Sequence, residues 1–140
     1  LIKSCLKLKK DVELQKRYKK NKEFIYTNRL ERRFYYYRDK SDAPRITICV
    51  IHDPKQEMYH RGISICSYLD IVNKEDGRDI AEDRAVKAMK SKTSAEEINR
   101  GDIIQMEYDI APEICHEYKS NYDVDITEFE RKLFTPKQAQ

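Results

Sequence analysis

Apolar and polar positions alternate with a period of two through residues 33–67, and three segments carry the alternation: "RFYYYRD", "RITICVIHD" and "EMYHRGISICS". Each is rich in aromatic and β-branched residues, the composition of strands. "KSDAP" and "DPKQ" separate them with turn-forming residues. Three strands joined by links this short predict an antiparallel meander. In the second strand Ile46, Ile48 and Val50 share one face, and Thr47, Cys49 and Ile51 the other. In the third, Ile63 and Ile65 oppose Gly62, Ser64 and Cys66. The large apolar face is expected to take a helix layer. The small, semi-polar face is expected to be a solvent face, a subunit interface or a pocket wall.

Outside the strands the spacing lengthens. Residues 1–30 are highly charged, with sparse apolar positions at Val12, Leu14, Tyr18, Phe24, Ile25 and Leu30. They read as a helical or loosely ordered arm. A helix is predicted from about Asp76 to Ser91. Ser94 and Glu97 have capping-box spacing and predict a further helix that Gly101 interrupts. Thr127 and Glu130 repeat that spacing and predict a short helix through Phe134, ended by Pro136. The expected fold is α+β: an antiparallel β-meander of three or more strands packed against helices. The expected division is a basic N-terminal arm, 1–30, and a single α+β domain, 31–140.

Composition sharpens this picture. With 38% charged residues and a mean hydropathy of −0.88, the core must be lean, and ten tyrosines supply much of its apolar area. Residues 1–38 hold 13 Lys+Arg against 4 Asp+Glu, whereas the remainder is acidic by six charges. A basic arm on an acidic body points to nucleic-acid contact through residues 1–38, to docking between subunits, or to a solvated tail. Cys5, Cys49, Cys66 and Cys115 form no CxxC pair and lie near no histidine in metal-ligand spacing, so reduced thiols are expected and no metal. The start lacks the apolar core of a signal peptide, and no apolar run is long enough to span a membrane, so a cytoplasmic protein is expected.

The candidate chemistry lies in "RGISICSYLDIVNKEDGRDIAEDRAVKAMK", residues 61–90. On a helical wheel Arg84 falls between Ile80 and Ala88, and Arg78 between Ala85 and Met89. Both arginines are therefore on the inward face, where charge must be paired or met by a ligand. Glu82 and Asp70 are the candidate protein partners. The ligand alternative is an anion at the helix start, met by Arg78, Lys74 and the backbone amides beside Gly77. "FYYYR" and "MYHR" add rings and arginines suited to a base and its phosphate, or simply to a core. No catalytic residue is expected. Cys66 and His60 lie about 20 Å apart along one strand, far beyond hydrogen-bond reach.

From "YYYRDKSDAPRITICV" through "RGISICSYLDIVNKEDGRDIAEDRAVKAM" the chain resembles small proteins of phages and prophages, most specifically the type 1 Thoeris anti-defence proteins. The correspondence runs through Tyr37, Arg38, Arg61 to Ser67, Asp70, Lys74, Gly77, Arg78, Arg84 and Ala85. It spans a third to a half of the chain and leaves the basic arm and residues 102–130 unaccounted for. The resemblance implies an oligomer that binds and sequesters cyclic ADP-ribose-type immune signals, some such proteins also holding cyclic oligonucleotides between subunits. The ligand-binding candidates are Arg38, Arg61, Ser67, Asp70, Lys74, Gly77, Arg78 and Arg84. The expected role is a signal sponge in the host cytoplasm, with no cofactor and no turnover. The alternatives are a phage inhibitor that binds another protein, in the manner of an anti-CRISPR, and a small nucleic-acid-binding protein.

Overall fold

The computed structural model describes residues 2–66, 71–93 and 126–135. Helix α1 (Ile2–Thr27) leads into β1 (Glu31–Arg38), β2 (Pro44–Asp53) and β3 (Met58–Ile65); α2 (Lys74–Lys90) and the short α3 (Glu128–Lys132) follow. The strands form one antiparallel sheet in the order β1-β2-β3, as the meander predicts, and the class is α+β. No helix among the described residues is long and apolar enough to cross a membrane.

Local chemistry sets the element ends. α1 is built of strong helix formers and has no glycine or proline. It closes in a Schellman turn: Leu30 N–H donates to the Ile25 carbonyl at 3.0 Å, Arg29 N–H to Tyr26 at 3.1 Å, and Arg29 takes a φ of 52°. The β1–β2 link turns on Asp39, whose carboxylate accepts from the amides of Ser41 and Ala43 and from Arg45 Nε. These bonds hold the Asp39 carboxyl below its ordinary range, the Ala43 amide most strongly. α2 begins at Lys74, two residues before the predicted start, because Asn73 caps it: Asn73 Oδ1 accepts from Asp76 N–H at 3.1 Å.

The two faces of the sheet are used in the opposite sense to the sequence expectation. Register places Phe34, Cys49 and Gly62 in one row, and Tyr36, Thr47 and Ser64 in the next. This small, semi-polar face seats α2. The cause is Gly62: a Cβ there would lie 2.0 Å from the Ala81 carbonyl oxygen and 2.3 Å from the Ala85 nitrogen. Only a side-chain-free strand position and two fully buried alanines let the backbones come so close. Cys49, Ile51, Ala81, Ala85, Val86 and Ile25 form the core between them. Burial pushes the Cys49 thiol well above its ordinary range, so it stays protonated.

The large apolar face, with Ile46, Ile48 and Val50 buried, carries α3 instead. The capping box is present: Thr127 Oγ1 accepts from Glu130 N–H, and the Glu130 carboxylate accepts from Thr127 N–H. That carboxylate also accepts from Arg61 and from Tyr35 Oη at 2.9 Å. Phe134 lies 5.4 Å from the His52 ring and 5.6 Å from that of Tyr59, and Phe129 lies 5.1 Å from Tyr35.

The second half of α1 docks on an acidic stripe of α2. Arg17 and Asn21 meet Asp83 at 3.1 and 2.9 Å, and Lys22 meets Asp79 at 2.8 Å and Glu82 at 3.4 Å. The basic arm thus finds part of its acidic counterpart within its own chain. The capping-box helix expected from Ser94 lies outside the described residues.

Candidate functional site

The exposed cations near the start of α2 gather over one strand. β1 alternation turns Arg32, Phe34 and Tyr36 toward α2. One turn apart on α2, Lys74 and Arg78 reach across to those rings. Lys74 Nζ lies 4.9 Å from the Tyr36 centroid, and the Arg78 guanidinium 4.5 Å from that of Phe34. Arg38 covers Tyr36 from the strand end at 5.7 Å, and Arg32 covers Phe34 at 5.2 Å. The result is a strip along β1 in which two half-buried rings are flanked by four cations. Each contact at such an exposed site contributes about 0.5–1 kcal/mol.

The charge balance within the strip is uneven. Arg32 pairs with the buried Glu82, and Arg38 is 3.9 Å from Asp42. Lys74 and Arg78 pair with no carboxylate among the described residues; aromatic rings are their neighbours. Most other cations near the core are neutralised: Arg17, Lys22, Arg45, Arg61 and Lys87 all have acids within 4 Å. An uncompensated lysine and arginine one turn apart, above stacking surfaces, suit an anion that carries a planar group.

The eight candidate residues separate. Arg38, Lys74 and Arg78 converge on the strip. Arg61 is on the opposite face of the sheet, buried against Glu130. Arg84 donates to the Ile63 carbonyl of β3. Its expected pairing with Glu82 does not form, because Arg32 and Lys22 hold that carboxylate. Gly77 packs on Thr47, where a Cβ would come within 2.8 Å of the hydroxyl oxygen. Its amide is also spent, donating to the Asn73 carbonyl at 3.0 Å. The early helix start makes Gly77 an interior position, so it offers no free N–H to a phosphate. Ser67 and Asp70 lie outside the described residues.

Arg78 departs from its inward wheel position. It is exposed, lying at the rim of the helix–sheet contact with its charge in water and its flat face on Phe34. The sequence reading left two members unassigned: Phe34 and Tyr36 as ring partners of α2. Their signal was the odd–even alternation of "FYYYR", which sends Phe34 and Tyr36 to one face and Tyr35 and Tyr37 to the other. The arginine of "MYHR", Arg61, does not join them, since β2 lies between β1 and β3.

No family model, curated protein or solved structure matches this chain.

Proposed function

We propose that the chain binds a phosphate-bearing nucleotide on the β1–α2 strip and holds it without turning it over. That is the role its resemblance to the type 1 Thoeris anti-defence proteins implies, with a cyclic ADP-ribose-type or cyclic nucleotide signal as the ligand and a homo-oligomer in the host cytoplasm as the working form. One observation carries the reading: Lys74 and Arg78 rest on the Tyr36 and Phe34 rings without a carboxylate partner among the described residues. The Arg78 fork and the Lys74 ammonium supply donors for phosphate oxygens. A base stacked on Tyr36 or Phe34 adds roughly 1–3 kcal/mol.

Retention without conversion is tested by recovery. Cyclic ADP-ribose, or a cyclic dinucleotide, is mixed with an equal amount of protein, and the bound fraction is released by heat. Mass spectrometry should return the ligand at its original mass and in full. A converted product would end the sponge reading.

A further inference from the structure

On the other side of the first turns of α2 the structure holds a cavity of about 630 Å³. Thr47 and Ser64 line it from the sheet, and Asn73, Asp76, Gly77 and Ile80 from the helix. It is separate from the cation strip: Lys74 and Arg78 point to β1, while the cavity-lining positions of α2 face β2 and β3. Its volume is within the range of small-molecule sites.

Two polar groups in this cavity have no partner among the described residues. Thr47 is 1% exposed and Ser64 6%, and neither hydroxyl makes a hydrogen bond with another described residue. Both hydroxyls open onto the cavity, where a bound molecule can replace water as their hydrogen-bond partner. The lining also selects the chemistry. The Asp76 carboxylate disfavours an anion. Arg45, the one cation among the described lining residues, has its Nε on Asp39 at 3.0 Å. No aromatic side chain of the described residues lines the cavity to stack a base. Hydroxyls and a carboxylate between aliphatic walls match a molecule with several hydroxyls and apolar C–H faces.

We propose that this cavity is a second binding site, for a neutral polyhydroxylated molecule of monosaccharide size. The hydroxyls of Thr47 and Ser64 exchange hydrogen bonds with it, and the Asp76 carboxylate accepts from a ligand hydroxyl. The proposal is independent of nucleotide binding on the strip.

The Cys66 thiol, which also lines the cavity, serves as reporter. The full chain is treated with iodoacetamide during a titration with D-ribose or D-glucose, and Cys66 modification is followed by peptide mass mapping. Amide shifts of Thr47, Ser64 and Gly77 in the same titration give a readout that does not depend on the thiol. The expected result is saturable protection and saturable shifts. Thr47→Val and, separately, Ser64→Ala should weaken both about tenfold, the value of one hydrogen bond. Lys74→Ala and Arg78→Ala should leave both unchanged. Removing an unpartnered hydroxyl should not lower the Tm, and Ser64→Ala carries the test if Thr47→Val misfolds. The proposal is overturned if neither sugar gives saturable shifts, if both hydroxyl variants respond like the parent, or if inorganic phosphate binds there in place of the sugars.

Discussion

Gly62→Ala will displace α2 from the sheet and destabilise the protein by more than about 4 kcal/mol, the range reached only by severe core disruption. The sign is what makes this informative. Elsewhere in a strand, exchanging glycine for alanine gains roughly 0.5–1 kcal/mol by reducing the freedom of the unfolded chain. Here the added methyl meets backbone, not side chain: the Ala81 carbonyl at 2.0 Å and the Ala85 nitrogen at 2.3 Å. Backbone atoms in a helix cannot turn aside, so α2 must move as a unit. That movement would also carry Lys74 and Arg78 off their rings. A urea titration of the variant measures the loss, and a stability equal to that of the parent would contradict the packing described for α2.

Glu130→Ala will cost about 3–5 kcal/mol, because it removes the carboxylate paired with the buried Arg61 guanidinium. Arg61 is 2% exposed and Glu130 0%, so neither group can turn to water. Glu130 also accepts from Tyr35 and completes the capping box of α3, so one substitution removes three supports at once. The same carboxylate gives a pH signature. Burial alone would raise its pKa, but the hydrogen bonds and charge of Arg61, helped by the Thr127 amide and Tyr35, hold it below the ordinary carboxyl range. A depressed native pKa adds stability that is fully present above the unfolded value, about 4.3, and is lost as pH falls through the native value. The Tm should therefore fall on the acid side, and Glu130→Gln should flatten that part of the curve. An acid-side slope unchanged in Glu130→Gln would show that other carboxylates set it.

The sequence carried the meander, its turns and the Thr127–Glu130 capping box because those are local signals. "KSDAP", "DPKQ" and the Thr127–Glu130 spacing each specify their own few residues. Choosing which face takes α2 required knowing how close two backbones come, and a large apolar face looked the better seat. Gly62 was visible as a small residue, but its meaning depended on Ala81 and Ala85 arriving opposite it. The site split for similar reasons. Lys74 and Arg78 are neighbours on one helix turn, so their placement side by side was legible. Arg61 looked equivalent to Arg78 by type, yet its partner lies 69 residues away at Glu130, beyond any local pattern. Glu82, expected to pair with the α2 arginines, pairs instead with Arg32 and Lys22, which come from elements whose docking the helical wheel could not include.

Equilibrium binding of cyclic ADP-ribose, with a cyclic dinucleotide in parallel, to Arg78→Ala and Lys87→Ala tests the central claim most directly. Arg78 rests on the Phe34 ring with no carboxylate partner among the described residues, whereas Lys87 is exposed and pairs with Asp83 at 3.4 Å. Calorimetry should find that Arg78→Ala weakens binding by roughly 1.5–3 kcal/mol, about ten- to a hundredfold, with the Tm close to that of the parent. Lys87→Ala should bind as the parent does. If the two variants bind every nucleotide identically, the strip is a solvated edge and the proposed function is wrong.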